Sequence, residues 1–219
     1  MSSLFNLIRE TSSSFFDLKL SLPRKRVGLS ELNRQLVHLL GVLSVPACYL
    51  LGPSIVAGGA LAVALFMTLL TTVENAPRVV EDLLRDLGGE EGLRDRPYCS
   101  AVIFFAVVGG GFFLLPPSLA SVVVIVLTVG DSFSTLIGLG WGKSKLPGVE
   151  GKTWAGSFGG FFASLLAISL FSLFVSVPLL PGFLAAFAGI TAEALTGRGD
   201  DNLPIAVASL LAAGPFWLF

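Results

Sequence analysis

Asp131 sits about a dozen residues into the apolar run "SLASVVVIVLTVGDSFSTLIGLGWGKSK", in a chain otherwise sparing with charge. A carboxylate at that depth is costly in hydrocarbon and, where it occurs, faces a wet cavity or a partner. Its chemistry is to accept a proton or to bind a hard cation. Downstream, "GKSKLPGVEGKTWAGS" supplies Lys143, Lys145 and Lys152 with the hydroxyls of Ser144, Thr153 and Ser157, all suited to phosphate oxygens. A helix starting near Thr153 would aim backbone N–H groups at the same anion. "AEALTGRGDDNLP" then adds Glu193, Asp200, Asp201 and Asn202, hard oxygen donors of the kind Mg2+ accepts. A divalent cation held by one or two carboxylates together with phosphates is the usual arrangement in phosphoryl transfer.

Each group also has a plainer reading. Asp131 can pair structurally with a neighbouring helix, the lysines can mark a cytoplasmic loop, and "GRGDDN" is good turn chemistry leading into a helix cap. His38, the only histidine, lies four residues after Arg34 and shares its helical face; alone it reads as an interfacial residue. Neither "GKS" nor "GKT" is a phosphate-binding P-loop, because Ile137 and Leu146 stand where the pattern requires its first glycine.

These residues need elements to hold them, and the composition says which. Of 219 residues, 53% are hydrophobic and 13% charged, with a mean hydropathy of +0.83. Soluble domains carry about 25% charged residues, so the expected fold is all-α, a polytopic membrane bundle. Seven spans are expected, at 35–51, 54–73, 98–115, 118–140, 156–177, 182–197 and 203–219. Residues 1–30 read as an amphipathic segment on the membrane surface, with Arg24, Lys25 and Arg26 near anionic headgroups. Residues 31–219 form the membrane-embedded domain. The loop after the second span holds a short helix, capped by Asn75 and ended by Gly88. No cleavable leader, soluble domain or internal repeat is expected. Cys48 and Cys99 read as small buried hydrophobes rather than a disulfide. The net charge of −1 gives no sign of a nucleic-acid partner.

The turns "YLLGPS", "LLPPS" and "SVPLLP" carry no charge. If the spans alternate, the ionisable groups all face one side, which Arg24, Lys25, Arg26, Arg34, Lys143, Lys145 and Lys152 make cytoplasmic; the carboxyl terminus would face outward. That one-sidedness suits an enzyme fed by a soluble substrate better than a through-pore. Gly130, with Gly138, Gly140 and Gly142, permits a break in the fourth span or a close helix approach. The Gly-x-x-x-Gly spacing in "GSFGG" at 156–160 suits helix packing within or between chains, which leaves a homo-oligomer open.

In this order, "RQLVH" at 34–38, "GDSFSTLIGLGWGKSK" at 130–145, "GKTWAGS" at 151–157 and "AEALTGRGDDNLPI" around Glu193 through Ile205 resemble the membrane family of CTP-dependent lipid kinases: dolichol kinase, phytol kinase and the CTP-using diacylglycerol kinase. Gln35 departs from the pattern, which has a second basic residue there. The resemblance covers residues 31–219. It implies transfer of the γ-phosphate of CTP, with Mg2+, to the hydroxyl of a membrane lipid alcohol (a polyprenol or dolichol, phytol or geranylgeraniol, or diacylglycerol), giving CDP and the lipid monophosphate. It also implies catalytic roles for Asp131, His38 and Glu193, with Asp131 as Mg2+ ligand or as base. Asp131, Asp200, Asp201 and Asn202 would contact the metal. Arg34, Lys143, Lys145, Lys152, Thr153 and Ser157 would hold phosphates, and Gly138 would permit close packing. One alternative is a CDP-lipid-forming cytidylyltransferase, whose Asp-Arg-x-x-Asp element is absent here. Another is a small transporter with spans broken at Gly130 and Gly189 and Glu193 as coupling carboxylate.

Overall fold

A computed structural model describes residues 29–70, 99–175, 177–197 and 200–217, without the side chains of residues 29–31, 33 and 99. The amino-terminal amphipathic segment and the short helix expected at 75–88 lie outside the described residues. Helix α1 (Leu29–Leu40) runs through a 3-10 turn into α2 (Ser44–Leu51), followed by α3 (Pro53–Leu70) and α4 (Cys99–Leu114). Then come α5 (Pro117–Ile125), a π-helical stretch at Val126–Gly130, and α6 (Asp131–Trp141), which together make one continuous rod. Helices α7 (Trp154–Ser172), α8 (Leu179–Leu195) and α9 (Asn202–Ala213) complete the described bundle. No β-strand occurs among the described residues; Lys145 and Thr153 form an isolated antiparallel bridge.

Four helical runs are long and apolar enough to cross a membrane: Arg34–Leu51, Pro53–Leu70, Pro117–Trp141 and Trp154–Ser172. At 1.5 Å per residue they match a hydrocarbon core of about 30 Å. Three further apolar helices, Ser100–Leu114, Leu179–Leu195 and Asn202–Trp217, are shorter. Leucine and phenylalanine side chains such as Leu50, Phe66, Leu114 and Phe174 stand fully outward, as expected where the solvent is lipid. The chain is a helical integral membrane protein.

The Pro117–Trp141 rod is the axis of the bundle: 67% of it is buried, against 17–22% of the other three long runs. Its sequence explains this, since "VVVIVL" is apolar all round and has no face for water. The hydroxyls of Ser121 and Thr128 donate to the carbonyls of Pro117 and Val124, both at 2.7 Å, so neither is stranded. Of the two roles open to Gly130, a break or a close approach, the break does not occur. The helix loosens into a π turn there and continues, and such turns are frequent at functional sites. Gly189 likewise lies inside the unbroken α8. The discontinuous helices of the transporter alternative are therefore not found.

What Gly130 permits is contact. Gly156, Gly160 and Ser164, spaced four apart on α7, line the seam with the rod. A Cβ on Gly160 would stand 2.5 Å from the Gly130 carbonyl oxygen, and one on Gly156 2.6 Å from that of Ser134. The Gly-x-x-x-Gly spacing is thus consumed within the chain. Gly138 joins the same seam, facing Thr153 Oγ1 and Gly156 Cα. Gly160→Ala forces a methyl against backbone that cannot step aside, and should lower stability by about 1–3 kcal/mol. Gly110→Ala, whose Cβ would meet nothing within 4 Å, should be neutral or stabilising. Thermal unfolding of both variants in detergent micelles checks this, and equal melting points would refute it.

Candidate functional site

Residues 34, 35 and 38 lie on one side of α1, and Gln35 and His38 are buried while Leu36 and Val37 are exposed. That buried face meets the start of α6, where Ser132 Oγ donates to the Gln35 carbonyl at 3.3 Å. A basic side chain at position 35 would have to be desolvated against α6, so the neutral amide fits the place it occupies. Arg34, next to it, is only partly buried.

The π turn delivers Asp131 to the first position of α6 with 1% of its surface exposed. Its Oδ2 lies 3.1 Å from His38 Nδ1. At that distance the pair is a close electrostatic contact. Asp131 Oδ1 and His38 Nε2 have no hydrogen-bond partner among the described residues. The imidazole is held edge-on against Phe104, with ring centroids 4.4 Å apart.

Lys152 arrives by a different route. Between α6 and α7 the chain forms a small hairpin, in which Leu146 N–H donates to Lys152 O at 3.0 Å and Trp154 N–H to Ser144 O at 3.1 Å. Gly148 and Gly151 take φ of +75° and +86°, left-handed conformations that side-chain-bearing residues avoid. The hairpin turns Lys152 inward, where its ammonium contacts Glu193 Oε1 from the end of α8 and Asp201 Oδ2 at 3.1 Å from the start of α9. Burial disfavours the charge on Lys152, but Asp201 and Glu193 outweigh it and hold the ammonium above the usual lysine range.

Asp131, Glu193 and Asp201 each offer an oxygen within 4.8 Å of the others. At an effective dielectric of about 20, two charges at that separation repel by about 3.5 kcal/mol. Lys152 touches two of the three carboxylates; Asp131 has His38. Burial, and then the negative charge of Asp131, pushes the Asp201 carboxyl above the usual aspartate range despite Lys152 and Arg34. A hard cation fits this donor set: three carboxylates converge and Asp131 Oδ1 is unused.

The other expected site residues are placed differently. Asp200 Oδ1 and Oδ2 accept from the Asn202 backbone N–H at 3.1 Å and from Asn202 Nδ2 at 3.0 Å, so Asp200 shapes the entry to α9 and stands apart from the carboxylate cluster. Asn202 Nδ2 also donates to Ser100 O and Oγ, tying α9 to α4, and leaves its buried Oδ1 without a partner among the described residues. Lys143 and Lys145 are exposed on the hairpin. Thr153 is the N-cap of α7, its hydroxyl accepting from Gly156 N–H at 3.1 Å, and Ser157 Oγ donates back to Thr153 O. The start of α7 is therefore closed largely by its own chain, contrary to the anion site expected there. Cys48 is buried and unpaired, as a small apolar residue would be; the Cys99 side chain lies outside the described set.

Two neighbours were not singled out from the sequence, Ser100 beside Asn202 and Phe104 against His38. Neither had a local signal, because nothing in the sequence marks α4 as a wall of the site.

No protein-family model, curated protein or solved structure matches this chain. The functional reading therefore rests on the chemistry of the site and on the motif resemblance.

Proposed function

We propose that the protein is a CTP-dependent kinase that phosphorylates the hydroxyl of a membrane lipid alcohol, working as a bundle of seven membrane-crossing helices with its site on the cytoplasmic side. The observation that carries this reading is the meeting of Asp131, Glu193, Asp201 and Lys152 beside His38, at the end of the bundle where α1, α4, α6, α8 and α9 converge. Arg34, Lys143, Lys145 and Lys152 gather on that end, which the positive-inside rule assigns to the cytoplasm.

Phosphoryl transfer asks a protein mainly for positioning and for charge on the phosphate oxygens. Asp131, Glu193 and Asp201 would hold Mg2+, which when bound neutralises the phosphates and lowers the barrier to their transfer. The exposed Lys143 and Lys145 would draw the triphosphate in from solution, with Lys152 and Arg34 as its inner cationic contacts. Asp131 beside His38 Nδ1 favours the tautomer with its proton on Nδ1, which leaves the Nε2 lone pair to accept the alcohol proton. The alcohol oxygen then bonds to the γ-phosphorus, the bond from that phosphorus to the bridging oxygen breaks, and CDP leaves with the electron pair. His38→Gln should lower kcat about 10²–10⁴-fold with the KM for CTP little changed. Steady-state kinetics check it, and an unchanged kcat would remove His38 from the chemistry.

The reading is tested by giving γ-labelled CTP and Mg2+ to the protein in liposomes containing a membrane lipid extract, with ATP in parallel. The expected result is label in a lipid monophosphate and CDP in the aqueous phase. Pyrophosphate with a CDP-lipid would replace the kinase by the cytidylyltransferase, and solute uptake without nucleotide consumption would favour the transporter.

A further inference from the structure

Beside the carboxylate cluster lies a recess of about 30 Å3 of mixed lining, with Arg34, His38, Ser100 and Asn202 as its polar residues and Phe104 and Phe105 among its apolar ones. That is the room one water or one hydroxyl needs. His38 and Asn202 belong to its lining, and each is a buried residue with one polar atom, Nε2 and Oδ1, that has no partner among the described residues. Phe104 and Phe105 also line a second and larger space, a groove of about 210 Å3 between α1, α3 and α4, whose walls include Gly41, Gly59, Ala60, Val63 and Val108. Ser44, the hydroxyl residue in the groove, turns its Oγ to the Gly41 carbonyl at 2.7 Å, so the lining is apolar. The groove reaches the outer surface of the bundle at the exposed Leu40 and Gly59.

We infer that the recess and the groove are one site, in which the hydroxyl of a single-chain lipid alcohol sits against His38 and Asn202 while its tail runs along Gly41, Gly59 and Ala60. The inference rests on the kinase reading and narrows its acceptor. The occupant follows from the shape: a seat for one hydroxyl and an apolar trough lie on either side of two shared phenylalanines, which is the complement of a primary alcohol with one tail. A diacylglycerol brings two tails, and α3 and α4 close against each other where Gly109 meets Leu61, leaving the second chain no continuation of the trough between them. Gly41 sets where Phe104 stands between the two spaces: a Cβ there would fall 2.5 Å from Phe104 Cζ and 3.0 Å from Thr128 Cγ2, so only glycine lets the ring come this close to the 3-10 turn.

Gly59 and Gly58 provide the test. A Cβ at either would meet nothing within 4 Å, so leucine at either position leaves the fold intact and gains helix propensity; Gly59 lines the groove and Gly58 does not. The probe is a long-chain primary alcohol carrying a mid-chain diazirine, photolysed with the purified protein in micelles without nucleotide. Cross-links are expected on residues 56–63 and 104–108, reduced at least about tenfold, or roughly 1.4 kcal/mol of affinity, in Gly59→Leu and unchanged in Gly58→Leu. Equal labelling of those residues by a diazirine phosphatidylcholine, equal competition by diacylglycerol, or full labelling of Gly59→Leu would overturn the inference. Because no nucleotide is present, a protein labelled in the groove that transfers no phosphate loses the kinase reading and keeps this site. A protein that phosphorylates the alcohol but is labelled elsewhere loses this site alone.

Discussion

Asp131→Asn leaves the protein folded, with a melting temperature little changed, and lowers phosphate transfer from CTP to lipid by about 10³-fold or more. The two halves of this expectation have one cause. Three carboxylate oxygens within 4.8 Å of one another face a single lysine, and Asp131 is the one that lysine does not touch. Replacing it with its neutral isostere removes two repulsions of about 3.5 kcal/mol each at an effective dielectric of about 20, which offset the loss of its contact with His38. Catalysis loses a cation ligand and the acceptor that fixes His38, since an amide can present its N–H to Nδ1 and favour the wrong tautomer. Melting curves and label transfer on the same preparation check both halves. Near-normal transfer by a well-folded variant would remove Asp131 from the mechanism.

Lys152→Met acts in the opposite sense on stability and in the same sense on activity. The methionine keeps the aliphatic stem but leaves Glu193 and Asp201 without their cation. Removing one partner of a largely buried ion pair costs about 3–5 kcal/mol, and transfer should fall below detection because the inner phosphate contact is gone. The pH dependence separates this cause from simple misfolding. The Asp201 carboxyl already sits above the usual aspartate range through burial and the charge of Asp131, and loss of Lys152 raises it further. A carboxyl whose pKa is higher folded than unfolded binds more protons in the folded state, so protonation favours folding. The deficit of Lys152→Met should therefore be greatest at neutral and alkaline pH. It should shrink as pH falls through the raised pKa, when the uncompensated charge is neutralised. A deficit that grew on acidification would show that Lys152 holds the fold in some other way.

The helical runs could be read from sequence to within a few residues because hydrophobicity is a property of composition: 54–73 was expected and Pro53–Leu70 observed, 156–177 expected and Trp154–Ser172 observed. Asp131 announced itself by depth alone. What sequence could not settle was direction. In "GDDN" the adjacent Asp200 and Asp201 look equivalent, yet successive residues entering a helix point different ways, so Asp201 turns to Lys152 and Asp200 to Asn202. Lys143, Lys145 and Lys152 are alike as residues, and the hairpin pivoting on Gly148 and Gly151 decides that Lys152 is the one brought inside. Gly130 read either as a break or as a close helix approach, because glycine permits both. It serves as a contact, for the reason that Gly160, 30 residues later, packs opposite it. Partners so far apart in the chain are invisible to local pattern. The same holds for Phe104, whose neighbours His38 and Gly41 lie on another helix.

The claim beneath all of this is that the buried carboxylates form a divalent-cation site completed by nucleotide phosphates. Electron paramagnetic resonance of Mn2+ titrated with CTP into the protein in micelles measures it without any lipid acceptor. One tightly held Mn2+ per chain is expected, which appears with CTP, is displaced by Mg2+, and is lost in Asp201→Asn. Nucleotide-dependent binding that survives in Asp201→Asn, or no nucleotide-dependent binding in the wild type, would contradict it.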